Sequence, residues 1–173
     1  CILDIRQSRG LGDVYKRQTL GNYFKENIGD PNQIDFHIGL PLAEEKRVAE
    51  MIPFPKESNQ SSTKPNDAQI ASGSGPNLLK HQNTTKWRSA EIPSANGQGC
   101  ASAIAKLYSL VVTDDHSLKI INDKTIETMT AERITNRDLV LDVVTRWGSG
   151  FIINMHKVIY GPEETSFGHS GWG

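Results

Sequence analysis

The stretch "AEIPSANGQGCASAIAKLYSLV", Ala90 to Val111, decides how this chain is read. Ala101, Ile104, Ala105, Tyr108, Val111 and Val112 return at three- and four-residue steps, the spacing that places side chains on one helical face. A helix with a buried face is therefore expected here. Its start is crowded with Gly97, Gly99, Cys100, Ala101, Ser102 and Ala103, small enough to allow close helix packing. Cys100 reads most simply as a small core residue. The rarer alternative is a reactive thiolate favoured by a helix N-terminus.

Upstream, "TLGNYFKENIGDP" carries Leu20, Tyr23, Phe24 and Ile28 at helical spacing, with Thr19 placed to cap and Gly29-Asp30-Pro31 to stop it. In "IDFHIGLP", Ile34, Phe36 and Ile38 alternate with polar neighbours, which predicts a strand with His37 on its wetter face. "PLAEEKRVAEMIP" sets Leu42, Ala49 and Ile52 against a mixed-charge run and predicts a solvated helix ending before Pro53. From about residue 53 to 86 the chain turns rich in Ser, Asn, Gln, Lys, Pro and Gly and loses any sustained period. A long polar loop or partly ordered insertion is expected there. Asn59-Gln60-Ser61 and Asn83-Thr84-Thr85 fit the glycosylation acceptor spacing, a pattern frequent by chance in such composition.

Downstream, "NDKTIETMTAERI" predicts a second helix, capped by Asn122 and contributing Ile126, Met129 and Ile134 to the interior. "TRWGSGFIIN" reads as one strand, with Trp147, Phe151 and Ile153 alternating around a Gly148-Ser149-Gly150 bulge. After the hairpin-like "MHKVIYGPEETS" the chain returns through "FGHSGWG", Phe167 to Gly173, so two antiparallel strands are expected to close the sequence. Glycines at short spacing beside a histidine, a serine and an indole mark backbone that approaches a ligand closely. The chain is expected to have been cut within that segment.

The first residues raise a matching expectation. Cys1 to Gln18, "CILDIRQSRGLGDVYKRQ", has no initiator methionine, no apolar signal core and no period that continues into the helical segment beginning at Thr19. Its "DVYKRQ" resembles the translation of a transposase adaptor end, so residues 1–18 are read as non-native and 19–173 as a partial domain. The 173 residues, 36% hydrophobic, suffice for one domain, and a formal charge of −1 argues against nucleic acid or anionic membrane as the main partner. With Cys1 set aside, Cys100 stands alone, which excludes an internal disulfide framework and a cysteine-rich zinc module. His37, His81, His116 and His156 show no metal-ligand spacing. No apolar run is long enough to span a bilayer as a helix. Cytoplasmic and secreted locations both stay open, as does the oligomeric state.

"DFHIGLP", "AEIPSANGQGCASAIAKLYSLV", "RWGSGF" and "FGHSGWG" stand in the order and with the gaps found in the β-lactamase-related serine hydrolases, and the chain resembles that family from Thr19 to Gly173. The family includes esterases and relatives of class C β-lactamases and penicillin-binding proteins. The resemblance implies an α+β fold of β-lactamase/transpeptidase type, an antiparallel sheet flanked by helices, incomplete at both ends. It also implies acyl transfer to a small-molecule ester, amide or β-lactam substrate, without a cofactor. The nucleophilic serine and its lysine, in a Ser-x-x-Lys motif, and the proton-handling tyrosine belong upstream of "TLGNYF". They are expected to be missing, which would leave the chain inactive. Ser61 and Lys64 have the bare spacing, but inside the polar insertion, and Tyr23 and Tyr108 lie on apolar helix faces as expected core residues. His169, Ser170 and Gly171 match the family's Lys-Thr-Gly or His-x-Gly motif. By that match His169 supplies a polar group near the substrate, Ser170 a hydroxyl, Gly171 an open strand edge, and the Trp172 backbone N–H an oxyanion donor. Histidine in place of lysine leans toward the esterase-like members. The alternative is a catalytically silent homologue acting in binding or assembly.

Overall fold

The computed structural model describes residues 18–52, 64–73, 81–157 and 159–171. In chain order its helices and strands are α1 (Leu20–Phe24), α2 (Asp30–Asn32), β1 (Phe36–His37), α3 (Asp67–Gly73), α4 (Thr85–Ser89), β2 (Gln98–Gly99), α5 (Ala101–Val112), α6 (Asp123–Thr130), β3 (Ile134–Arg137), β4 (Val144–Trp147), β5 (Ile152–Ile153) and β6 (Phe167–Gly168). A π-helical turn, Lys25–Gly29, joins α1 to α2, and a 3-10 helix spans Leu42–Arg47. The architecture is α+β with antiparallel strand pairing throughout. Two units are present: Cys1–Ser58 with Asn77–Ile120, and Asn59–Pro76 with Ile121–Gly173.

In the first unit, the Thr19 hydroxyl caps α1 by accepting the Asn22 N–H at 3.3 Å. The helical path does not stop at Gly29-Asp30-Pro31 as expected. Pro31 is carried in α2, directly after the π-helical turn Lys25–Gly29, and its missing N–H leaves a carbonyl of that turn without a helical donor. The stop comes at Gln33, left-handed at φ 52° and ψ 48°. Its N–H bonds the Asp30 carbonyl at 3.2 Å, and the Ile34 N–H bonds that of Gly29 at 2.9 Å, a Schellman pair. That reversal delivers Ile34 to a core shared with Phe24, Ala103 and Leu110, with Phe36 edge-on to Phe24 at 5.7 Å.

Helix α5 forms where the spacing places it, but its buried face is Ala103, Leu107 and Leu110. Ile104, Tyr108 and Val112, expected inside, are exposed. Apolar residues on more than one side of this helix satisfy the same three-four rhythm, and contact with Phe24 and Ile34 selects among them. Tyr23, the other tyrosine expected in the core, is half-buried. Cys100 is exposed, because it is the N-cap before the first turn of α5. The small residues ahead of it serve a ring: a Cβ on Gly97 or Gly99 would lie 2.4 or 2.5 Å from Phe36. The strand expected over Ile34–Ile38 contracts to β1, paired with β2 in the register Phe36↔Gly99 and His37↔Gln98.

The helix expected between Pro41 and Pro53 is only the 3-10 turn Leu42–Arg47, after which Val48 is extended. Leu42 and Ile52 are exposed, so no apolar face supports a longer helix. Glu45 anchors the turn through the buried Arg88 guanidinium at 2.8 Å and the Thr85 hydroxyl at 3.1 Å. Asn96, 1% exposed, closes the following loop. Its Oδ1 accepts the Ile92 N–H at 2.9 Å, and its Nδ2 donates to the carbonyls of Trp87 at 2.7 Å and Ala90 at 2.5 Å. This side chain satisfies three backbone groups that the turn would otherwise leave open.

The second unit holds a four-stranded sheet in the order β3-β4-β5-β6. Asn122 caps α6 as expected, accepting the Thr125 N–H at 2.8 Å. Ile134 is not on that helix but opens β3. The stretch "TRWGSGFIIN" is a hairpin and not one bulged strand. Trp147 of β4 faces Ile152 of β5, and the Gly148 N–H bonds the Phe151 carbonyl at 2.9 Å across the turn. Gly150, at φ +87°, supplies the left-handed residue that reverses the chain. Helix α3 lies within the expected polar insertion. Asn66 and Gln69 donate to the carbonyls of Leu139 at 2.8 Å and Val140 at 3.0 Å, which ties it to the loop joining β3 and β4.

Candidate functional site

Strand β6 carries the residues singled out at the end of the sequence. It is held by β5 in the register Ile152↔Gly168 and Ile153↔Phe167, and the Asn154 N–H extends the ladder to the Ser166 carbonyl at 2.8 Å. The connecting loop is folded back by the Asn154 side chain, 2% exposed, whose Nδ2 donates to the carbonyls of Gly161 and Glu163, both at 2.7 Å. Its Oδ1 is buried without a partner among the described residues. The Tyr160 ring then covers Gly168 so closely that a Cβ there would lie 2.8 Å from it. Phe151, in the β4–β5 turn, meets Phe167 edge to face at 5.2 Å. Loop, turn and strand together fix where the next residue begins.

That residue is His169, exposed just past the end of β6. Its Nδ1 lies 2.5 Å from the Ser170 carbonyl oxygen. A carbonyl only accepts, so a hydrogen bond at this contact requires the hydrogen on Nδ1 and leaves Nε2 as the ring nitrogen it does not use. The imidazole also meets the Trp147 indole, centroids 5.8 Å apart and planes tilted by 58°. The indole N–H donates to the buried Thr145 hydroxyl at 2.8 Å. Ser170 and Gly171 are exposed, and nothing lies within 4 Å of a Cβ built on Gly171, so the strand edge is open there. Trp172 lies outside the described residues, as does Ser61. In the sequence Trp147 reads only as an alternating strand residue, since its link to His169 needs two strand pairings.

A second polar group lies in the first unit. Asp35 accepts from Arg47 and lies 3.3 Å from His37 Nε2. Those partners, Arg47 first, hold its carboxyl below the usual range. The Cys100 thiol is 3.1 Å from the Ser102 hydroxyl, and this contact, followed by the Ala103 backbone N–H, lowers its pKa from the ordinary thiol value. His81, His116 and His156 are exposed. Among the described residues no group of three His, Cys, Asp or Glu side chains is arranged to hold a metal ion. No helix of the described residues is long and apolar enough to cross a membrane.

A family model described as Beta-lactamase matches residues 9–173. The chain belongs to the β-lactamase family. This agrees with the resemblance carried by the four sequence stretches, and solved structures agree as well. A penicillin-binding protein homolog from Caulobacter crescentus is 36% identical at a TM-score of 0.73, the match covering 93% of this chain and 43% of that one. A family VIII carboxylesterase is 37% identical at a TM-score of 0.74, over 92% of this chain and 42% of that one. EstA from Arthrobacter nitroguajacolicus Rue61a, 24% identical at a TM-score of 0.74 over 92% and 44%, shares the fold alone. The chain therefore spans less than half the length of each of these proteins. Comparison with curated proteins gave no match.

Proposed function

We propose that this chain is the middle-to-late portion of a serine hydrolase of the esterase-like branch, acting on small esters, and that it is inactive by itself. The observation that carries the reading is His169-Ser170-Gly171 at the open end of β6, in a chain 37% identical to a family VIII carboxylesterase over 92% of its length. In this chemistry a serine hydroxyl of a Ser-x-x-Lys pair adds to the ester carbonyl while the lysine takes its proton. The tetrahedral oxyanion collapses to an acyl-enzyme as the alcohol leaves with a proton, and water then hydrolyses the acyl-enzyme. His169 Nε2 is the polar group this chain offers to the substrate or leaving alcohol. Ser170 offers a hydroxyl, and Gly171 leaves room for the substrate along the strand. The Trp172 backbone N–H is the proposed oxyanion donor, a contribution commonly worth about 3 kcal/mol in the transition state. The one Ser-x-x-Lys spacing in the sequence, Ser61 to Lys64, lies in the polar insertion and is not assigned this role.

Labelling with a fluorescent fluorophosphonate tests both halves of the reading. The 173-residue chain is expected to remain unlabelled. The protein completed by its upstream coding sequence is expected to label at the serine of a Ser-x-x-Lys motif and to hydrolyse p-nitrophenyl butyrate faster than nitrocefin. A completed protein with neither that motif nor labelling overturns the enzymatic reading and favours a silent homologue.

A further inference from the structure

We propose that Trp147 is a positioning residue for His169, holding the imidazole so that Nδ1 stays on the Ser170 carbonyl and Nε2 faces outward. The proposal deepens the esterase reading and rests on it only for the use made of Nε2. His169 stands one residue beyond the last paired residue of β6, so the ladder fixes its backbone on one side only. An exposed side chain at such a point would ordinarily sample several rotamers. Here two contacts restrict it. The 2.5 Å bond to the Ser170 carbonyl holds one ring edge, and the indole meets the ring at 5.8 Å between centroids with the planes tilted by 58°.

The position of the indole is set by its strand and by one side-chain bond. Trp147 sits in β4, between its pairing to Ile134 of β3 and to Ile152 of β5. Its N–H is tied to Thr145, whose side chain is 5% exposed. Thr145 is thus a fixed point from which the orientation passes to the indole and then to the imidazole. The Phe151–Phe167 pair joins the same two elements, the β4–β5 hairpin and β6. A bare packing role for Trp147 would not explain why the half-buried indole lies against an exposed polar ring at a strand end, with its one donor bound inward.

The test reads the ring directly, without substrate. Long-range nitrogen–proton NMR on the 15N-labelled 173-residue chain distinguishes Nδ1–H from Nε2–H histidine, with His169 assigned by its disappearance in His169→Gln. The wild-type chain is expected to show the Nδ1–H form as the major neutral tautomer. Trp147→Ala is expected to lower the Nδ1–H to Nε2–H ratio about fivefold, the worth of one ordinary net hydrogen bond. Trp147→Phe, which keeps a ring beside the imidazole but loses the bond to Thr145, is expected to fall between the wild type and Trp147→Ala. Thr145→Val removes the indole acceptor in a side chain of similar shape and is expected to give an intermediate value. If Trp147→Ala does not fold, Thr145→Val and Trp147→Phe carry the test. An unchanged His169 ratio in every folded variant, or a wild-type ring dominated by Nε2–H, overturns the proposal. Absence of esterase activity in the completed protein overturns the functional reading instead and leaves the tautomer result standing.

Discussion

Replacing Asn154 by alanine and by aspartate separates the two things that residue does for the strand leading to His169. Its Nδ2 holds two carbonyls of the 155–166 loop at 2.7 Å each, inside a site where the side chain is 2% exposed. Asn154→Ala forfeits both bonds, at about 1 kcal/mol net apiece, for about 2 kcal/mol in all. Gly161 and Glu163 are exposed and recover some solvation. Loss of the unpartnered Oδ1 returns a further fraction. Asn154→Asp is worse, because at neutral pH it sets a buried carboxylate against the same two carbonyl oxygens. An uncompensated buried charge of this kind costs about 3–5 kcal/mol. Its pH dependence has a definite sign. The carboxyl pKa is raised in the folded state, so that state binds more protons than the unfolded chain, and stability falls as pH rises above about 4. Urea titration followed by Trp147 fluorescence, in a Trp87→Phe, Trp172→Phe background, reads the second unit alone. The alanine variant is expected to lower the midpoint by about 1–2 M. The aspartate variant is expected to be less stable still, and less stable at pH 7 than at pH 5. An aspartate variant within about 0.5 kcal/mol of the parent at pH 7 would refute the assignment of those two bonds.

Further outcomes are expected elsewhere. Asp35 has a depressed folded-state pKa, Arg47 being the first cause, so its contribution is present above the ordinary carboxylate pKa and lost as pH falls through the folded value. Asp35→Asn is therefore expected to flatten the acid limb of a stability–pH curve below about pH 4, as measured by thermal melts. In a Cys1→Ser background, Cys100 is expected to alkylate faster than a free thiol at neutral pH and to slow in Ser102→Ala, since the Ser102 contact leads the lowering of its pKa. Iodoacetamide pH–rate profiles check this. Gly148→Ala would bring a Cβ to 2.3 Å from the Met129 carbonyl oxygen. A loss of about 1–3 kcal/mol is expected in a urea melt, the range for overpacking against fixed atoms.

The elements that local chemistry specifies were legible in the sequence. Thr19 and Asn122 cap the helices where their types and positions predict, because a short side-chain acceptor reaches the N–H three residues on regardless of the rest of the fold. The order of α5, the closing antiparallel strands and the family resemblance were legible too. What failed depended on partners distant in sequence. The buried side of α5 is chosen by Phe24 and Ile34, about seventy to eighty-five residues earlier, so its own pattern was ambiguous. Leu42 and Ile52 have the spacing of a helix but no surface to bury against. Strand β3 is exposed along its whole length and shows no alternation to detect. At the candidate site, His169, Ser170 and Gly171 were visible as a motif. Trp147 and Asn154 were not, since strand pairing and a folded-back loop bring them into play.

Helix α3 and the loop after β3 are bound to each other, yet Asn66 and Leu139 are 73 positions apart, and Gln69 and Val140 are 71. Between them the chain lays down Asn77–Ile120 of the other unit. During synthesis α3 therefore emerges from the ribosome well before the carbonyls that will hold it. The intervening segment has time to settle first, and the delay to closing the second unit is set by translation speed as well as by loop entropy. Neither unit can be excised with a single cut, and slowing translation between residues 77 and 120 should lengthen the interval in which α3 is open to proteases.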